Sequence, residues 1–234
     1  MKRTSLGLGI ILLACFALVL FLIFMPIFGN GQNGLAYSDE FFNALAKGSS
    51  NHMASMRKLS QGMVGTPFAA EIKMASPQQA QATRILYTQA GAEATVTGAA
   101  LKISGDLGKV LLNAVADADL LFNEQGENLA NLYHYNAKAV LNNWWLSFNK
   151  LDAALKKQKN FKQAQVIAEI QKRSLEPAYN FSGIAPSSVG ENALLLTLML
   201  GFYVIYTLFY GYGIFEIFEG LGLQMEKSVS KEEV

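Results

Sequence analysis

His52, Met53, Met56 and Met63 combine one imidazole with three thioethers inside a twelve-residue stretch, a soft donor set of the kind that binds cuprous copper. A helix would place Met53, Met56 and Met63 on roughly one side, which is also the pattern of methionines filling a core. With one histidine and no cysteine in the set, core packing is the expectation, and no cofactor is expected in this chain. The other histidine, His134, lies between Tyr133 and Tyr135 without a CxxCH motif or a second histidine on its helix, so it reads as a surface residue rather than a haem ligand. Asp117, Asp119, Glu124 and Glu127 make an acidic run, but Leu121 falls on a ligand position of an EF-hand loop. Solvated or helix-end charges are expected there. Glu216 and Glu219, three residues apart, could handle an ion if they lay inside a membrane; the apolar run has ended by then, so hydrated carboxylates are expected.

Two further groupings concern contact rather than catalysis. Trp144 and Trp145 are adjacent, so on a helix their indoles diverge by about 100° and only one can face the core. The other is free for a partner or ligand. Lys150, Lys156, Lys157, Lys159 and Lys162 form the one basic cluster, placed where lysines complement a helix C-terminus or meet lipid headgroups. Asn180-Phe181-Ser182 fits a glycosylation sequon, meaningful only in a eukaryotic secretory setting. No nucleophile elbow, P-loop, Rossmann glycine pattern or zincin motif is present, so no enzymatic activity is expected.

The elements that must carry these residues begin at the ends of the chain. Of 234 residues, 51% are hydrophobic and 16% charged, and the apolar ones concentrate in two segments. The sequence predicts a cytoplasmic N-terminus over 1–5, a transmembrane helix over 6–28, an extracytoplasmic domain over 29–190, a second transmembrane helix over 191–218 and a short cytoplasmic tail over 219–234. No charge occurs between Arg3 and Asp39, and the 23 residues of the first segment would span roughly 34 Å as a helix, enough for a hydrocarbon core of about 30 Å. Lys2 and Arg3 favour an N-terminus inside. Leu12-Leu13-Ala14-Cys15 resembles the lipobox of bacterial lipoproteins, but an apolar run continues through Phe28 where a lipoprotein turns polar, so an uncleaved anchor is expected. In the second segment Ser188 and Glu191 have capping-box spacing. Gly201 could allow close helix approach, and Tyr203, Tyr206 and Tyr210 form a stripe suited to packing against a partner helix.

Between the segments the composition is that of a soluble domain, with 15 Lys and Arg against 12 Asp and Glu, and no dense basic face that would suit nucleic acid. Gly29 to Gly34 reads as a flexible linker. Ser38 and then Ser49 or Ser50 are expected to cap short helices, and Thr66-Pro67 and Ser76-Pro77 to open two more, the second with a capping box completed by Gln79. Ala82, Leu86, Val96, Ala100, Ile103, Leu107, Val110, Ala114 and Leu121 recur at spacings near three and four, which predicts a long bundle helix. A second is predicted over 127–157, burying Leu132, Val140, Trp144, Phe148, Leu151 and Leu155, and a third from Asn160, with Gln163 completing its box, to before Pro177. The expected fold is all-α: an antiparallel helical bundle bracketed by two transmembrane helices.

The expected function is a non-catalytic, two-pass membrane protein, in a bacterial inner membrane. It would serve as a structural or accessory subunit, meeting lipid and a protein partner or its own copy through the second helix and the helical domain. The alternative is a periplasmic ligand sensor. Two helices around a periplasmic bundle resemble the front half of a chemoreceptor or sensor kinase in layout, although the short tail holds no output domain.

Overall fold

The charge-free start of the chain forms a single helix, α1 (Arg3–Phe24), which stops before Pro26 because a residue ahead of proline is pushed out of helical geometry. The computed structural model describes residues 3–223. After α1 come α2 (Gly34–Ser49), α3 (Met53–Gln61), β1 (Pro67–Lys73), α4 (Pro77–Gln89), β2 (Glu93–Thr97), β3 (Ala100–Asp106) and α5 (Leu107–Phe122). The chain continues through α6 (Gly126–Tyr133), α7 (Ala137–Lys157), α8 (Phe161–Ile170), a π-helical turn over Gln171–Leu175, α9 (Glu176–Asn180) and α10 (Ala193–Leu221). Two compact units result: the residues up to Leu45 with those from Ser187 onward, and the domain Ala46–Pro186.

In the first unit α1 and α10 are each long and apolar enough to cross a membrane, and they pack along one another as a hairpin. The less exposed positions of α1, Ser5, Leu6, Gly9, Leu12, Leu13, Phe16, Val19 and Ile23, form one stripe that recurs at spacings of three and four. On α10 Met199, Tyr206, Gly213 and Gly220 repeat every seven residues. This is the seam pattern of two helices packed knobs into holes. Glycine sets its closeness: a Cβ on Gly220 would lie 2.6 Å from the Leu6 nitrogen, and one on Gly9 would lie 2.8 Å from the Ile217 nitrogen. The expected flexible stretch after α1 is instead a tight turn, closed by a bridge between Phe28 and Gln32 with Asn30 at φ 57°. Asn33, rather than Ser38, caps α2 by accepting the Ala36 N–H. α10 starts at Ala193 with Asn192 at its N-cap, so the Ser188–Glu191 box does not form its first turn.

The domain corrects the all-α expectation. It is mostly helical but contains a three-stranded antiparallel sheet in the order β1-β3-β2. The predicted long helix through 82–121 is broken into α4, β2, β3 and α5. Gly91 at φ 79° ends α4, and the β-branched Thr95, Val96 and Thr97 favour extended chain. Gly98 at φ 59° then makes a two-residue turn with Ala99 that pairs Thr97 with Ala100. The three-and-four spacing misleads because Leu101 and Ile103, alternate residues on the buried face of β3, also lie near a helical series. Thr66-Pro67 opens a strand, not a helix. As the first residue of an edge strand, Pro67 has no ladder bond to lose.

Phe68, Ala70 and Ile72 of β1 share the buried face of the sheet with Leu101 and Ile103, and α5 and α7 supply the rest of the core. Gly108 lets α5 approach closely, since a Cβ there would fall 2.2 Å from the Val64 nitrogen. The predicted 127–157 helix divides into α6 and α7 because His134 takes φ 61° and Asn136 recaps the chain at Ala139, and Leu132, expected in the core, is exposed at the end of α6. Ser76 does cap α4 by accepting the Gln79 N–H, while the Gln79 side chain reaches back one residue beyond the cap and accepts the Ala75 N–H. Asn160 precedes α8 without a side-chain cap bond, and neither Ser49 nor Ser50 caps α3, whose N-cap is His52.

Candidate functional site

The copper set is not brought together. Met53, Met56 and Met63 are buried in the domain core, where Met53 Sδ accepts a hydrogen bond from Ser174, while His52 is exposed at the start of α3. His134 is an exposed, left-handed helix end. In the basic cluster, Lys156 pairs with Asp152 at 2.7 Å, and Lys150, Lys157, Lys159 and Lys162 are exposed. Cys15 is exposed in mid-α1.

The acidic run behaves differently from expectation at one position. Asp119 pairs with Arg57, and Glu124 with the buried Lys47, whose ammonium also lies 5.2 Å from the Phe122 ring centroid. Asp117, however, is 2% exposed, because residue 117 falls on the same face of α5 as Ala114, Ala118 and Leu121. One oxygen, Oδ2, accepts from Tyr133 Oη at 2.7 Å, Trp144 Nε1 at 2.7 Å and Asn113 Nδ2 at 3.3 Å. Burial pushes the carboxyl up to about 6, against the lowering pull of the Tyr133 and Trp144 bonds. Burial and the neighbouring carboxylate push the Tyr133 phenol up, and burial takes Tyr135 to about 12. Asp117 is thus an anchor for three elements, tying α5 to α6 and α7.

That anchor decides the fate of the tryptophan pair. Trp144 is fully buried between Tyr87 and Phe148, with its N–H spent on Asp117. Trp145, a third of a turn further round α7, is half-buried and donates Nε1–H to Glu176 Oε1 at 2.9 Å. Beside it is a cavity of about 280 Å³ lined by Leu141, Trp145, Leu175, Glu176 and Tyr179, with Asn142 and Asn180 at its rim. The π-helical turn places Glu176. Pro177 has no N–H to donate and would crowd the carbonyl four residues back, so the helix widens and Glu176 N–H reaches Gln171 instead. Gln171 also donates to the Trp145 carbonyl at 3.0 Å, locking the two sides of the cavity. Trp145 was foreseeable as the unburied partner of the pair. Glu176 and Tyr179 were not, because only the π turn brings them opposite α7.

On the hairpin, the tyrosine stripe divides. Tyr206 stacks on Phe16 at 4.3 Å and donates to the Phe16 carbonyl at 3.1 Å, which makes it a seam residue. Tyr210 lies 5.0 Å from Phe16 but remains exposed. Tyr203 is 66% exposed, and Gly201 has no atom within contact of a Cβ, so both face away from α1. Glu216 departs from the hydrated reading: it is 7% exposed and lies on the same face of α10 as Gly213 and Gly220. No protein-family model matches this chain, and no curated protein and no solved structure matches it either.

Proposed function

We propose that this chain is a non-catalytic accessory protein of a membrane complex, anchored by the α1–α10 hairpin and holding its partner through the Trp145–Glu176–Tyr179 cavity. The N-terminus and the tail lie in the cytoplasm, and the domain faces the periplasm of a bacterial inner membrane. Lys2 and Arg3 favour that orientation. The observation that carries the docking role is Trp145 itself. An indole left half-exposed, fixed by Glu176 and backed by a rigid core, is a preorganised anchor of the type that dominates protein interfaces. A volume of about 280 Å³ is at the lower edge of small-molecule pockets and suits one inserted side chain. The aromatic walls and the second oxygen of Glu176 favour an arginine or lysine from the partner. The exposed Gly201–Tyr203 face of α10 adds a membrane-level contact.

The test is a native-detergent pull-down of the full-length protein with mass spectrometry, run beside Trp145→Ala and Glu176→Gln. A stoichiometric partner held by the native chain and lost by at least tenfold in Trp145→Ala supports the proposal. A partner retained by both variants, or a lone homodimer that binds a small molecule, overturns it, the latter in favour of the sensor.

A further inference from the structure

The turn between α7 and α8 puts a lysine where a helix end favours glycine. Lys159 stands at φ 63°, the left-handed conformation that L side chains rarely adopt. The turn is closed around it. Asn160 N–H reaches back to the Leu155 carbonyl at 2.9 Å, and Gln158 donates to the Ala69 carbonyl of β1 at 2.9 Å. A glycine would make the same turn without strain, so here a side chain is held at a cost to the backbone. What it presents is charge. Residues 150–168 hold five lysines against one acid, Asp152, which pairs with Lys156. Lys157, Lys159 and Lys162 are exposed, and Lys150 lies on the Lys157 side of α7, seven residues back.

Among these cations stands Phe161, 63% exposed and the most exposed large apolar side chain described in the domain Ala46–Pro186. Lys159, Phe161 and Lys162 border a hollow of about 310 Å³ whose wall also includes Met63 and Thr66. Val64, in the turn between those two, is exposed as well. A phenylalanine left in water gains by meeting a surface that is apolar just beneath a layer of anions. The face of a phospholipid bilayer has that order, phosphate outside and acyl chain below. An acidic protein face would match the lysines but would need a separate pocket for Phe161.

We propose that this turn is a lipid-docking site: Lys157, Lys159 and Lys162 bind the phosphates of anionic phospholipid while Phe161 enters the acyl boundary. Each lysine near such a surface is worth about fivefold in binding, so three give about a hundredfold. That is weak for a free protein. It is enough for a domain tethered at both ends to membrane helices, where lipid is always within reach. The turn shares no residue with the Trp145–Glu176–Tyr179 cavity, so lipid and a protein partner need not compete.

The proposal rests on the hairpin spanning a membrane, and its test separates the two. The full chain is reconstituted in nanodiscs of phosphatidylcholine alone, or of phosphatidylcholine and phosphatidylglycerol in equal parts. Surface lysines are acetylated with an N-hydroxysuccinimide ester and read by peptide mass spectrometry, with exposed Lys172 as the internal reference. The expected result is acetylation of Lys157, Lys159 and Lys162 slowed at least about threefold in the anionic discs only. High salt should abolish the slowing, and Phe161→Ser should reduce it. Lys159→Gly should reduce protection of Lys157 and Lys162 while the chain unfolds no earlier on heating, because glycine relaxes the turn. Equal rates in the two lipids overturn lipid docking and leave the anchor intact. Protection in both lipids that persists in high salt does the same, in favour of a face covered by protein. Release of the chain from native membranes by alkaline carbonate overturns the anchor and the docking site together.

Discussion

The hairpin and the domain each bury one carboxylate among the described residues, and they accommodate it by different means. Asp117 is surrounded by donors: a phenol, an indole and an amide converge on one oxygen, and the charge is tolerated because the core was built around it. Among the described residues, Glu216 meets the Tyr212 hydroxyl and lies between the close-packed Gly213 and Gly220. The difference reflects what drives each unit together. In the domain, burial of aliphatic and aromatic surface from water can offset the desolvation of one well-bonded acid. Along the hairpin, glycines let two backbones close on one another, so close packing rather than a set of converging donors surrounds Glu216.

The largest effect that could break this comparison is expected from Asp117→Ala. It leaves the Trp144 N–H and the Tyr133 hydroxyl without their acceptor in a dry core, and should cost about 4 kcal/mol of domain stability. Denaturant unfolding of the full chain followed by tryptophan fluorescence reads it. A loss below about 1 kcal/mol would show that the donors repartner and that Asp117 anchors nothing.

A somewhat smaller effect concerns pH. Asp117 titrates near 6 in the folded state against an ordinary value of 3.8. Between those values the folded state holds the extra proton, so this group's contribution is fully present below about pH 4 and is lost as pH rises through about 6, by about 3 kcal/mol in all. Asp117→Asn should flatten that segment of the stability profile relative to the native chain. Parallel profiles for the two proteins would contradict the assignment.

The smallest effect sharpens the hairpin side. Gly220→Leu should weaken α1–α10 packing by about 2 kcal/mol, because its Cβ would fall on the Leu6 backbone. Gly201→Leu should leave it unchanged. Disulfide formation between cysteines at positions 16 and 206, in a Cys15→Ala background, reports the packing. Equal cross-linking in both variants would deny the glycine seam.

The chain's apolar ends, the Ser76 cap of α4 and the divergence of Trp144 from Trp145 were legible from residue type and spacing alone. Those features are local: they depend on hydropathy over a helix length, on one side chain reaching its own backbone, and on 100° per residue. What stayed hidden needed the third dimension. α1 and α10 are apolar all round, so their sequences carry no periodic signal of which stripe meets the other helix, and only packing put Tyr206 and Glu216 on the seam and left Tyr203 and Gly201 outside it. Strands β2 and β3 hide in a helical spacing until positive-φ glycines at 91 and 98 break it. By itself the sequence determined that two apolar helices flank a domain and that one indole of the pair must turn outward. Tertiary structure decided what holds the buried indole, through the three donors that converge on Asp117.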